Sequence, residues 1–156
     1  MSRFRWTSAH GSILVLTAVL VANLAHAQPP SAARRSLSDG LYTSIQADRG
    51  QVAYTAHCAE CHMADLGGHE YAGPLAGEGF QLKWQDASLS EFLGRIRSMP
   101  LGRPGTLTTQ EYLDILAYAL QKNGYPEGSS ELTLPLVTQW PLVRIERVRR
   151  TTGVAP

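Results

Sequence analysis

Cys58 and Cys61 are the only cysteines in the 156-residue chain; Ala59 and Glu60 separate them, and His62 follows at once. C-x-x-C-H is the pattern by which haem c is attached: two thiols add across porphyrin vinyl groups and the next imidazole ligates the iron. One helical turn presents both thiols to one macrocycle edge and lets His62 turn beneath the metal. Two other chemistries fit parts of the motif. A bare dithiol redox site leaves His62 without a purpose, and a structural zinc wants a fourth ligand at familiar spacing from a chain with two cysteines. The motif therefore predicts one covalent haem c on Cys58 and Cys61, with His62 as an iron ligand.

The start of the chain fits that reading. Arg3 and Arg5 precede an apolar run from Ile13 to Ala22, and Ala25-His26-Ala27 has the A-x-A form of a cleavage site. Residues 1–27 thus read as a secretory signal, with the mature chain beginning at Gln28 in the periplasm. The run is shorter than the ~20 residues that span a bilayer, so no membrane span is expected after cleavage; an uncleaved anchor is the alternative. Phe4 separates Arg3 from Arg5, which removes the paired arginines of a twin-arginine signal. Export unfolded, with haem added afterwards, suits an oxidising compartment in which two unmodified cysteines would pair.

Residues 28–156 carry 12 basic and 13 acidic side chains, a near balance that hides an asymmetry. Residues 36–128 hold 6 Lys/Arg against 11 Asp/Glu, a net −5, whereas Arg144, Arg147, Arg149 and Arg150 make the end basic. That basic run is short and has no aromatic residues interleaved, which argues against a nucleic-acid partner. The balance predicts an acidic core steering toward a basic partner, with the tail as a possible anchor.

Local signals divide the chain into a flexible leader (28–37), a domain (38–126) and a C-terminal tail (127–156). A helix is expected from Ser44 to His57, capped by Thr43 or Ser44, with Ile45, Val52, Ala53 and Ala56 inward; Gly50 inside it suggests close approach of another backbone. His57 reads as an incidental surface or packing histidine. Met63 to Leu82, rich in glycine, reads as a loop around a cofactor edge, in which His69 is solvated. Pro74 cannot donate a hydrogen bond but offers a carbonyl that could orient the His62 imidazole. Trp84 fits two roles, core packing or an indole N–H offered to a haem propionate.

Ser88 and Glu91 form a capping box for a helix to Ser98, where Met99-Pro100 stops it. The residue before a proline is pushed out of helical geometry, so Met99 projects from a loop and becomes the candidate sixth iron ligand. Met63, beside His62, cannot easily reach the other haem face, and flexible core filler is the plain alternative for Met99. Thr108 and Glu111 cap a last helix whose apolar face carries Tyr112, Ile115, Leu116, Ala119 and Leu120, closed by Gly124. The tail, with Leu132, Leu134, Leu136, Val137, Trp140 and Val143 interrupted by Pro135 and Pro141, reads as extended chain.

Gly50 and Tyr54, the C-x-x-C-H motif, Gly73-Pro74-Leu75, Met99-Pro100 and the Ile115–Tyr118 helix together resemble a class I cytochrome c over residues 38–126. The resemblance implies an all-α fold whose first and last helices cross, with Gly50 and Tyr54 meeting Ile115 and Tyr118. It also implies that the Pro74 carbonyl accepts from His62 and that Met99 is the distal ligand. The stretches Asp39–Thr43 and Leu113–Pro126 are similar to the small cytochromes and haem domains that accompany quinoprotein alcohol dehydrogenases. The function implied is a mono-haem electron carrier and not an enzyme, with a quinoprotein dehydrogenase as donor and a terminal oxidase or another cytochrome as acceptor. A peroxidase-like haem enzyme and a gas-binding sensor are the rivals; both require an open axial position, which Met99 would fill.

Overall fold

Each of the two longest helices begins at a threonine that supplies its own cap. The computed structural model describes residues 35–139 and 144–147; the expected signal segment, most of the leader, and Trp140, Pro141, Val143, Arg149 and Arg150 lie outside them. Helix α1 spans Ser44–His57, and the Thr43 side chain accepts from the Gln46 backbone N–H at 3.1 Å. Four residues, Ala59–His62, form the short α2. After it come α3 (Gly77–Trp84), α4 (Leu89–Arg97), α5 (Thr109–Lys122) and α6 (Leu134–Gln139). Thr108 and Glu111 cap α5 reciprocally, as Ser88 and Glu91 cap α4. Among the described residues there are two isolated bridges and no strand, and no helix is long and apolar enough to cross a membrane.

Helices α1 and α5 cross at Gly50. A Cβ there would lie 1.9 Å from the Asp114 carbonyl oxygen and 2.9 Å from the Tyr118 Cβ, so the crossing is as close as two backbones allow. One turn further on, the Tyr54 and Tyr118 rings pack with centroids 5.5 Å apart. Arg49 ties the same crossing from outside, its Nε 2.9 Å from Asp114 Oδ2 and its Nη2 2.9 Å from Glu131 Oε1. Replacing Gly50 by alanine forces a methyl into backbone that cannot yield, so the cost should reach the upper end of overpacking, about 3 kcal/mol. The urea midpoint measures it; an unchanged midpoint would mean that the helices separate freely.

The inward face of α1 differs from the expected one. Gln46, Ala47, Gly50 and Tyr54 are buried, while Ile45 is 67% and Val52 73% exposed. Gln46 is the reason: its Nε2 donates to the Leu132 carbonyl at 3.0 Å and its Oε1 accepts from the Leu132 N–H at 2.7 Å, so a polar residue is buried fully satisfied. Apolar periodicity cannot register such a residue.

Two segments expected to be irregular are helical. Within the loop expected from Met63 to Leu82, α3 forms without a side-chain cap of its own. Asn123, at the end of α5, serves both sides of that start: its Oδ1 accepts from the Gly77 N–H at 3.1 Å and its Nδ2 donates to the Leu75 carbonyl at 2.9 Å. The tail is not extended chain throughout. Leu132, Val137 and Ile145 are fully buried in the same core as α1, α4 and α5. Pro135 falls in the first turn of α6, where a missing N–H costs nothing. Beyond it, Ile145 exchanges backbone hydrogen bonds with the turn before α4, donating to the Ala87 carbonyl and accepting from the Asp86 N–H, both at 2.9 Å.

Candidate functional site

Helices α2 to α5 and the loops between them enclose a cavity of about 400 Å³. Its apolar wall comes from Trp84 on α3, Phe92 and Ile96 on α4, and Ile115 and Ala119 on α5. Trp84 and Phe80 both pack on Phe92, with centroid distances of 4.7 and 5.2 Å, and this aromatic cluster stiffens the wall. Cys58, Cys61, His62, Pro74, Trp84 and Met99, the six candidate residues, all line this one cavity.

The motif sits where α1 gives way to α2. Cys58 is the C-cap of α1, its N–H bonded to the Tyr54 carbonyl at 2.8 Å, and its own carbonyl accepts from His62 N at 2.9 Å. Both thiols and the imidazole are thereby held on a single turn. Cys58 is half-buried and Cys61 exposed, and burial, then the neighbouring Cys61, pushes the Cys58 thiol up to about 11. Tyr54 donates its hydroxyl to the Met63 carbonyl at 2.7 Å and pins the exit of the turn; burial raises its pKa well above the usual tyrosine value, so it remains a donor.

The imidazole is oriented by Gly73 and not by Pro74. His62 Nδ1 lies 2.9 Å from the Gly73 carbonyl oxygen, and a carbonyl can only accept, so Nδ1 donates and, in the neutral ring, Nε2 is the nitrogen with a lone pair for a metal. The displacement by one residue has a packing cause. Gly68, at φ +68°, lets the chain fold so tightly that a Cβ there would sit 2.3 Å from the Ala72 carbonyl oxygen and 2.8 Å from Pro74 N. His69 and Ala72 close the intervening turn with mutual backbone bonds of 2.8 and 3.1 Å. Pro74 is left to line the cavity with its ring.

Met99 leaves α4 as its Pro100 neighbour requires and reaches the cavity from the following loop. Tyr112 on α5 donates its hydroxyl to the Met99 carbonyl at 3.0 Å, a positioning contact that sequence reasoning missed because Tyr112 reads as ordinary core. Met63 turns away at φ 64° and is 45% exposed. His57 and His69 stand at the cavity margin, both exposed.

Two thiols, an imidazole with a free Nε2, a thioether and an apolar wall fit a flat, iron-bearing macrocycle held covalently at one edge. The volume lies within the ~300–1,000 Å³ usual for cofactor sites. Residues 45–118 match the family model described as "Cytochrome C oxidase, cbb3-type, subunit III". Neither the comparison with curated proteins nor that with solved structures gives a match. Helices crossing at Gly50 around this cavity make the fold an all-α class I cytochrome c fold, which the match over residues 45–118 fits, and that match supports a c-type haem electron-transfer protein.

Proposed function

We propose that the protein is a periplasmic, mono-haem c-type cytochrome that passes single electrons from a dehydrogenase, a quinoprotein among the candidate donors, to a respiratory acceptor such as a terminal oxidase or another cytochrome. The observation that carries this reading is the convergence of Cys58, Cys61, His62 and Met99 on one apolar cavity, with His62 Nδ1 engaged by the Gly73 carbonyl and Nε2 the ring nitrogen that remains for a metal. Cys58 and Cys61 would hold the haem through thioethers, and His62 and Met99 would ligate its iron. The haem supplies one-electron chemistry between iron(III) and iron(II). The chain's own work is to exclude water with Trp84, Phe92, Ile96 and Ile115, to fix the imidazole through Gly73, and to hold Met99 through Tyr112.

With His62 and Met99 both ligating its iron, the haem would offer no position to a substrate, which would set the carrier apart from a peroxidase-like enzyme or a gas sensor. The matched family's description, an oxidase subunit, favours an oxidase on the acceptor side. The A-x-A signal and the motif support export and haem addition in the periplasm. Intact mass of protein purified from a host with a haem-attachment system tests the reading. The expected mass is the chain from Gln28 plus one haem that acidified organic solvent does not extract. A bare-chain mass, or extractable haem, would overturn it.

A further inference from the structure

Residues 144–147 lie as a strap across the turn that joins α3 to α4. The Asp86 N–H donates to the Ile145 carbonyl and the Ile145 N–H to the Ala87 carbonyl, both at 2.9 Å, while Arg144 Nη1 donates to the Asp86 carbonyl at 2.5 Å. Arg147 Nη2 reaches Gln85 Oε1 at 3.4 Å. Asp86 takes φ 67°, a left-handed conformation that costs any residue with a Cβ, although aspartate bears it better than most. Its N–H and its carbonyl are both met by the strap, which is what makes that conformation tenable. The Ile145 side chain, fully buried in the main core, anchors the strap. Glu146 ties it further: its carbonyl accepts from the Tyr125 hydroxyl at 2.5 Å and its Oε1 from the Ser36 hydroxyl at 3.1 Å.

Trp84, a residue of the cavity wall, ends α3 two positions before Asp86. The eight residues of α3 fall short of the ~12–15 at which an isolated helix becomes even marginal in water, so its placement is borrowed. Asn123 fixes its start, and residues 144–147 fix the turn beyond its end. Gln81, three residues before Trp84, donates through Nε2 to the Tyr125 hydroxyl at 3.3 Å, the same hydroxyl that holds Glu146, so the strap grips α3 from two sides. Resting on the electron-carrier reading above, we infer that residues 144–147 position the cofactor site: by fixing the turn after Trp84 they hold that tryptophan in the wall, keep water from the haem and so raise its reduction potential. The link is dielectric. Water near the iron stabilises the more highly charged iron(III) state, so a wall that loosens lowers the potential while both ligands stay in place. Arg144 and Ile145 are not part of the cavity lining and act through Trp84.

The test uses the mature holoprotein carrying Trp140→Phe. Trp6 precedes the expected cleavage site, so Trp84 is then the sole tryptophan, and its emission reports its placement because the haem quenches it by energy transfer. In that background R144A/R147A removes both side-chain bonds to the turn, and Ile145→Ala removes the buried anchor. Leu132→Ala is the control, a buried tail residue whose polar partner is Gln46 and not the turn. Potentials are measured at 1 M salt, where a Debye length of about 3 Å screens the loss of two exposed charges.

R144A/R147A and Ile145→Ala should each raise Trp84 emission and its quenching by acrylamide. Each should also raise the iron(III):iron(II) ratio at a fixed applied potential about threefold, a fall of about 28 mV at ~59 mV per tenfold for one electron. Leu132→Ala should lower the urea midpoint and move neither quantity. R144A/R147A alters exposed side chains alone, so it decides the matter if Ile145→Ala fails to fold. Emission and potential unchanged in R144A/R147A, emission that rises while the potential stays, or equal shifts in Leu132→Ala would each overturn the inference and leave the carrier reading standing. A parent protein without a reversible one-electron couple would overturn the carrier reading itself.

Discussion

A chain ending at Ser130 is expected not to fold. The net charge suggests that the tail is a removable anchor, whose loss would weaken docking and spare the haem spectrum; the packing makes it part of the core. Leu132, Val137 and Ile145 are each fully buried, and each such side chain is worth about 1.5–3 kcal/mol. Removing them therefore withdraws roughly 5–9 kcal/mol, an upper estimate because the unfolded chain buries some of this area itself. Gln46 would also keep a buried amide without its Leu132 partners, at a further ~1–3 kcal/mol. Arg49 would lose Glu131, a half-exposed contact of small value. The sum rivals the ~5–15 kcal/mol total stability of a domain. Helical circular dichroism and protease resistance of the truncated chain, against a full-length control, provide the measurement. A truncated protein that retains its helices and haem spectrum would show that residues 131–147 merely decorate the core. The single substitution Leu132→Ala isolates one term and should cost about 2–5 kcal/mol in a urea titration.

The tail also shows which parts of this fold a sequence can disclose. Helices α1, α4 and α5 were legible because their start signals are local: Thr43, Ser88 and Thr108 each satisfy an N–H three residues on, and in α4 and α5 a glutamate returns the bond. Helix α3 was invisible for the complementary reason, since the group that satisfies Gly77 N is the Asn123 amide, 46 residues later. The tail's order depends likewise on Gln46, on Ala87 and on Tyr42, whose carbonyl accepts from Gly128 N at 2.7 Å. Each partner is distant in sequence and polar, so neither periodicity nor capping grammar finds it.

The site divides the same way. C-x-x-C-H carries its own geometry within one turn, and Met99-Pro100 carries its exit from the helix, so both were readable. The helix crossing was readable too, because a glycine inside a good helix requires a reason, and the Asp114 carbonyl is that reason. The carbonyl that orients His62 was placed one residue late. Chemistry singled out a segment with a free acceptor, but the choice between Gly73 and Pro74 was made by the Gly68 turn packing beneath them, a three-body matter that no pairwise spacing rule contains.

Replacing Met99 by alanine should change what the site does while leaving what it is. Cys58, Cys61 and His62 remain, and the Gly73 bond still fixes the imidazole, so covalent haem and helical content should be retained. Tyr112 donates to the Met99 backbone carbonyl and not to its side chain, so the loop keeps its anchor in the variant. The lost group is the thioether alone, a ligand that favours iron(II). Without it the reduction potential should fall by an appreciable part of the ~0.8 V that axial ligands span. Added imidazole, cyanide or carbon monoxide should bind far faster than to the parent protein, and weak peroxidase activity should appear, since both need the position that Met99 vacates. The parent's oxidised spectrum is the decisive comparison, because thioether ligation of iron(III) gives a weak far-red charge-transfer band that the variant must lose. A parent that lacks the band and already binds carbon monoxide readily would have an open iron in its native state, and the enzyme or sensor reading would then displace the carrier.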